Sequence, residues 1–355
     1  MTPIVDPARA LGISPRAPAH DPKYDARVRT LLSSVAPVLR LTRVTSGCAA
    51  VGNVWFVILW SRTNGEESWS ATVRQEPLWL LLAGGAAAAV GLYAFAASLN
   101  DLVDMRRDRM LKPERPLPAG RLTPAIAIAV LAGTLAAALL GSTVFGTAAV
   151  VLTLLLSLVV LVYTLAARFV PGIGLVVLGL VYAGHMLVPN IGLRFMWPVW
   201  VVMTHALLVA TVAHIVGRKV PPISRRAAIA CASGWLFWSL VLAWWSAQKN
   251  AGSFWPAWVD KGSIPWILMI GLSFGAFLFY RLRRPGPPAR QGERVVRYGT
   301  LWLPLYGAGW LLSDDGSGSR SAGLLLLAVF GASLVGMTIL RELYGLAEQP
   351  IGYRR

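Results

Sequence analysis

Leu99-Asn-Asp-Leu-Val-Asp-Met-Arg-Arg-Asp-Arg-Met-Leu-Lys-Pro-Glu-Arg-Pro-Leu-Pro-Ala-Gly-Arg121 follows directly on a hydrophobic run from Pro77 to Ser98. Asn100, Asp101, Asp104 and Asp108 recur at helical spacing, so a helix carried on from the apolar run would set all four along one face. The end of a helix already carries partial negative charge, and carboxylates clustered there repel it unless a cation is held. Arg106, Arg107, Arg109, Lys112, Arg115 and Arg121 lie among and after these acids and form a natural grip for an anion. A metal and an anion held together at a membrane face point to a diphosphate.

The rest of the chain sets the class. Hydrophobic residues are 56% of the 355 and charged ones only 14%, well under the quarter or so found in soluble domains. Apolar stretches long enough to cross a bilayer recur throughout, near 34–60, 77–99, 123–143, 146–167, 173–191, 197–217, 227–247, 263–282, 297–313 and 321–341. The expected fold is an all-α polytopic membrane bundle of nine or ten transmembrane helices, with the ninth span weakened by Pro304. Residues 1–30 are polar and proline-rich, without the apolar core of a cleavable signal, and read as a flexible cytosolic tail. The transmembrane domain would cover 31–345, leaving 346–355 as a C-terminal tail.

The net charge of +17 is distributed by topology. Basic residues gather before the first span and after the second, fourth, sixth and eighth, while the first of the alternate loops carries Glu66, Glu67 and Glu76. The positive-inside rule makes the N-terminus and the basic loops cytoplasmic, in a membrane of bacterial cell-membrane type. Ten spans return Arg354 and Arg355 to that side; nine would strand them outside. Most of the charge then answers to topology and anionic lipid rather than to nucleic acid. Cys48 and Cys231 both fall in apolar spans, without ligand spacing, and read as core fillers. His185, His205 and His214 lie on spans, where an ionisable residue is a functional candidate, although hydrogen bonding to a neighbouring helix accounts for each equally simply.

By residue type alone the cassette has two readings. Asp104, Asp108 and Glu114 pair with Arg106, Arg107, Arg109 and Arg115 in a solvated loop of little energetic weight, or the acids hold a metal. The order Asn-Asp-x-x-Asp-x-x-x-Asp, four residues, then Pro-x-Arg-Pro-Leu-Pro-x-Gly closely resembles the first signature of the UbiA-type intramembrane prenyltransferases. Arg40-Leu-Thr-Arg leading the first span and Tyr163-Thr-Leu-Ala-Ala-Arg168 ending the fourth are similar to the same family. The resemblance covers roughly residues 30 to 282 and implies a helical bundle around a central cavity, open laterally to lipid, with an apolar tunnel for an isoprenoid chain.

On that resemblance, Asp101, Asp104 and Asp108 hold magnesium and carry the catalysis, while Asn100 adds an amide contact. Arg40, Lys112, Arg115 and Arg168 bind the diphosphate, with Tyr163 beside it. Tyr93, Phe95 and Tyr163 line the tunnel. The partners implied are a prenyl diphosphate, a small-molecule or lipid acceptor, and membrane lipid. The chain departs from the family where a second acidic motif is usual, at the end of the sixth span: Ala210-Thr-Val-Ala-His-Ile-Val-Gly-Arg-Lys219 carries none, and no carboxylate occurs from Thr123 to Asn250. Three explanations stand open. Arg218 and Lys219 take over the metal's neutralising work, the acceptor is unusual, or catalysis is lost while isoprenoid binding persists.

Overall fold

The computed structural model describes residues 35–64, 71–314 and 316–348. The expected N-terminal tail therefore lies outside the described residues, as do residues 349–355 of the C-terminal one. After a short helix at 35–41 come α1 (Val44–Thr63), α2 (Ala71–Gln75), α3 (Leu78–Val103), α4 (Met105–Leu111), α5 (Pro124–Thr143) and α6 (Thr147–Leu165). A 3-10 turn at Ala167–Phe169 leads into α7 (Pro171–Met186), α8 (Trp197–Val216), α9 (Arg225–Lys249), α10 (Ser263–Leu282), α11 (Pro288–Leu312) and α12 (Ser317–Glu348). No strand occurs among the described residues.

Local chemistry sets the helix starts. Thr123 caps α5 by accepting the Ile126 N–H at 3.3 Å, and Ser224 caps α9 by accepting that of Ala227 at 3.2 Å. Proline stands in the first turn of α5, α7, α8 and α11, where its missing N–H has no helical partner to lose.

A helix opens each of the ten expected spans, but seven are long and apolar enough to cross a membrane by length and composition: α3, α5, α6, α8, α9, α10 and Gly318–Leu340 of α12. The apolar α7 is shorter, at 16 residues. The first expected span is interrupted, because Arg43 adopts a left-handed backbone (φ 47°) and α1 starts only at Val44. The ninth is longer than the sequence suggests. α11 runs straight through Pro304, whose ring lies directly against Gly52 of α1, leaving no room for a larger side chain there.

α1 is the hub. Val54, Phe56, Val57 and Ile58 are fully buried, so the helix is enclosed on every side, the pattern of a core helix rather than an amphipathic one. It packs against α3, α11 and α12, and contacts running α3–α6, α6–α7, α7–α8 and α8–α11 return to it, so that α1 closes the ring. The outer faces of α5, α6, α9 and α10 expose apolar side chains such as Leu140, Leu158, Leu240 and Leu272, as lipid contact requires. Inside the ring, Tyr182, His205 and Thr300 border a cavity of about 30 Å³ between α7, α8 and α11, room for one water molecule. Beyond the far end of α1, Phe195 is packed between Trp60 (5.0 Å, stacked) and Trp310 (4.9 Å, edge-on). Trp255 of the loop after α9 joins this cluster at 5.5 Å from Phe195.

Two of the helical histidines do structural work. His205 bonds Tyr306 Oη at 3.1 Å and the Gly299 carbonyl at 2.9 Å, and His214 bonds the Pro221 carbonyl at 2.9 Å. His185 is buried in α7, and its Nε2 has no hydrogen-bond partner among the described residues. Cys231 is buried in a small apolar cluster with Val176 and Leu207, as a core filler would be.

The tightest helix pair is α3 with α5. A Cβ at Gly141 would fall 2.5 Å from both the Ala88 nitrogen and the Gly84 carbonyl oxygen, so the two backbones touch there. At Gly133 on the same helix nothing lies within 4 Å. Gly141→Leu should lower stability by about 1–3 kcal/mol through overpacking. Gly133→Leu should leave it unchanged, and the thermal unfolding midpoint in detergent compares the two.

Candidate active site

The acidic cassette divides at Asp104. α3 ends at Val103, Asp104 is its cap, and α4 resumes at Met105. One turn separates Asn100 from Asp104 and two turns separate Asp101 from Asp108, so on a continuous helix all four lie within about 100°, and the structure divides them into those two pairs. The reason is in their partners. Arg168 donates from Nη1 to Asn100 Oδ1 (2.7 Å) and Asp104 Oδ2 (2.8 Å), and from Nη2 to Asp104 Oδ1 (2.6 Å), a two-pronged fork. On the other face Arg115 Nη1 donates to Asp101 Oδ1 (3.1 Å) and Asp108 Oδ2 (2.5 Å), and Arg43 Nη2 reaches Asp101 Oδ1 at 2.8 Å. Asp101 and Asp108 retain only 7% and 6% exposure. The solvated-loop reading therefore fails for them: of the arginines it named, Arg115 alone appears among the described salt bridges, and it does so inside the protein.

Each cation is delivered by a different piece of backbone. Arg115 sits in the proline-rich loop after α4, whose Leu117 and Leu122 plug into a satellite core with Leu41 and Ala127. Gly120, in left-handed conformation (φ 70°), turns that loop back toward α5. Arg43 occupies the left-handed link before α1. Burial disfavours its charge, but Asp101, Tyr93 and Glu293 together outweigh that and hold its guanidinium above the ordinary arginine value. Arg168 rides on the 3-10 turn, 4.8 Å over the Phe169 ring, and its charge reaches Tyr163. Its Nε is buried with no acceptor. Arg40 lies half-buried at the end of the 35–41 helix. Tyr93 faces Arg43, whereas Phe95 packs into the α3 core with 7% exposure and does not join the same surface.

The sixth-span end, where no acid was found in sequence, meets α11. A Cβ at Gly292 would lie 2.9 Å from the Ala213 carbonyl oxygen and 3.0 Å from the Gly217 Cα, so the end of α8 and the start of α11 cross in contact. That crossing brings Glu293 to the cap, where Lys112 donates to its Oε1. Burial opposes the Glu293 charge, yet Lys112, Arg115 and Arg43 hold its carboxyl below the usual glutamate range. Lys219 belongs to the same group. Desolvation and then the repulsion of Lys112 and Arg43 pull its ammonium below the usual lysine range, with Glu293 opposing. Arg218 is exposed beside it, in left-handed conformation (φ 47°). Glu293 was missed in sequence, and the available signal was that it is the single acid between Lys261 and Ser313, directly after a glycine.

The donor set suits a magnesium ion that arrives with phosphate. Asp101 and Asp108 place one oxygen each on a single nitrogen of Arg115, a pair of hard oxygens on a common cation. Magnesium binds through one or two carboxylates while keeping waters and phosphate oxygens. Among the described residues no three His, Cys, Asp or Glu side chains converge into a cage of protein alone.

A sequence model of the UbiA prenyltransferase family matches residues 54–303. The chain belongs to the UbiA prenyltransferase family. It is an all-helical, multi-pass membrane protein of that family, and transferase activity follows at the general level. Among solved structures it is similar to one described as giving insights into the biosynthesis of digeranylgeranylglyceryl phosphate synthase in membranes (16% identity, covering 85% of this chain and 96% of that one, TM-score 0.43). It is also similar to a UbiA homolog from Archaeoglobus fulgidus bound to GPP and Mg2+ (13%, 84% and 98%, TM-score 0.42). A third is an apo UbiA homolog from Aeropyrum pernix K1 (16%, 83% and 98%, TM-score 0.38). No curated protein sequence matches.

The fork between Arg168 and Asp104 is part-buried, with 14% and 15% side-chain exposure, and leaving one partner unsatisfied costs about 1–3 kcal/mol. Arg168→Gln and Asp104→Asn should each lower the unfolding midpoint. The double variant should lose less than the sum, by about 0.5–3 kcal/mol of coupling, and strict additivity would show that the fork carries no energy.

Proposed function

We propose that the protein is a membrane-embedded prenyltransferase that moves a prenyl group from a prenyl diphosphate to a small-molecule or lipid acceptor, aromatic and quinone types among the candidates, and releases pyrophosphate. The observation that carries this reading is the closure of Arg43 and Arg115 over the buried Asp101–Asp108 pair, at 2.5 to 3.1 Å, with Lys112 beside Arg115 on the same loop. Two arginines on two carboxylates that share a nitrogen form a seat for an anion that brings its own metal. The excess of arginine and lysine on the cap loops supports a seat at the cytoplasmic face, by the positive-inside rule.

The chemistry follows from charge. The bond between the prenyl C1 and the diphosphate oxygen breaks with its electron pair on oxygen, leaving an allylic cation. A nucleophilic atom of the acceptor forms the new bond to C1 and gives up its proton. Magnesium, when bound, neutralises the departing pyrophosphate. Asp101 and Asp108 would hold it, and Asp104 completes the acidic set while Arg168 fixes its orientation. Arg115 and Arg43 are then freed from the carboxylates to turn to phosphate oxygens. Arg168 contributes its unpartnered Nε–H and Asn100 its amide. Lys112 and Lys219 neutralise the far side of the diphosphate, with Arg40 and Arg218 at the rim. Lys219 and Arg218 stand where the family's second acidic motif would be, and fixed cations there can stabilise leaving-group charge directly. Tyr163 and Tyr93 present π faces that suit an allylic cation.

A second reading has its own support. Every acid of the first motif is already engaged by arginine, and the second motif is absent, as expected of a homologue that binds isoprenoid lipid in a membrane complex without turning it over. Magnesium-dependent pyrophosphate release from a panel of prenyl diphosphates separates the two, with membrane extract as the acceptor source. The transferase reading expects release in wild type and a loss of at least about a hundredfold in Asp101→Asn and Asp108→Asn, in line with removal of key electrostatic groups. Release that is unchanged in both variants sinks it. Prenyl lipid co-purifying with protein that releases no pyrophosphate supports the second reading.

A further inference from the structure

We infer that Glu293 is a built-in competitor for the diphosphate: in the free protein its carboxylate occupies the anion position among the cap cations, and Lys112 must exchange it for phosphate oxygens when substrate seats. This rests on the diphosphate reading of the cap and adds a residue to it from outside the family motif. Three observations carry it. Glu293 pairs with Lys112 across 181 residues of chain, linking the loop that holds Arg115 to the start of α11. Its carboxylate also faces Arg115 and Arg43, the two arginines that clamp Asp101. The close crossing at Gly292 holds it there, since a Cβ on Gly292 would come within 2.9 Å of the Ala213 carbonyl oxygen and 3.0 Å of the Gly217 Cα.

The pair is half-open to solvent, with 28% and 52% side-chain exposure for Lys112 and Glu293, so it is an exchangeable contact rather than a buried lock. An anion of greater charge displaces it. A monoanionic carboxylate cannot match a diphosphate among several cations, yet it lowers the net attraction of the cap for any anion. The consequence is selectivity and release: the cap discriminates against weakly charged anions, and Glu293 returns to Lys112 as pyrophosphate departs.

The test is the affinity of inorganic pyrophosphate, with magnesium, for detergent-purified wild type, Glu293→Gln and Glu293→Asp, titrated calorimetrically. Glu114→Gln serves as a control for loss of one negative charge from the same face, because Glu114 is exposed on the cap loop. Glu293→Gln should bind pyrophosphate about fivefold more tightly, the scale of one partly exposed ion pair. Glu293→Asp, which keeps the charge on a shorter stem, should fall between, and Glu114→Gln should match wild type. Equal or weaker binding by both Glu293 variants, beside intact wild-type binding, overturns the inference while leaving the diphosphate cap standing. An equal gain in Glu114→Gln overturns it too, by reducing the effect to overall charge. Failure of folded wild type to bind pyrophosphate overturns the reading of the cap itself, and the inference with it.

Discussion

One guanidinium nitrogen organises the cap. Arg115 Nη1 is shared by Asp101 and Asp108, two buried carboxylates that would otherwise repel each other at the end of a helix already negative there. Because α3 and α4 meet at a bend, the two acids can face the same cation while Asn100 and Asp104 turn to Arg168. The bridge also fixes the loop after α4, since Arg115 is held only while Leu117 and Leu122 stay in their pocket against Leu41. Leu41 belongs to the short helix that delivers Arg43, so apolar packing and charge pairing in the cap depend on each other.

That dependence continues into the membrane. α1 hangs from the left-handed link at Arg43 and forms the centre of the bundle, so the position of one clamping arginine is set by the most buried helix in the protein. On the opposite side the crossing of α8 and α11 at Gly217 and Gly292 sets where Lys219 and Glu293 stand. Rigid elements hold the backbones that carry the charges, so meeting an anion asks for exchange of side-chain partners rather than movement of helices.

The helical bundle was legible because apolar length is a strong signal, and the first motif because its order is specific. Both came from residues adjacent in sequence. What escaped was set by contacts between distant segments. The interruption at Arg43 is a single backbone conformation that hydropathy does not encode. The close seating of Pro304 of α11 against α1 depends on Gly52, some 250 positions earlier in the chain. The pairing of Asn100 with Asp104 and of Asp101 with Asp108 follows the spacing within the motif, but the bend at Asp104 and the choice of Arg168 over the neighbouring Arg106 and Arg107 required tertiary structure. Glu293 is the clearest case, since a carboxylate isolated in a basic segment gains meaning only once α11 is laid against the end of α8.

The missing second motif changes the physics of the leaving group more than its geometry. A metal held by carboxylates brings positive charge that can depart with the product, whereas Lys219 and Arg218 are tethered and remain. A cap built that way risks holding pyrophosphate too firmly, because each fixed cation that steadies the leaving group also steadies the product. An acid among those cations offsets the excess. Glu293 is placed to do so from outside the motif, and its pairing with Lys112 gives the lysine an alternative partner once the diphosphate has gone. On this view the exchange of acids for bases at the end of α8 and the single acid of α11 are two halves of one adjustment, which keeps the cap attractive to a diphosphate without trapping what it becomes.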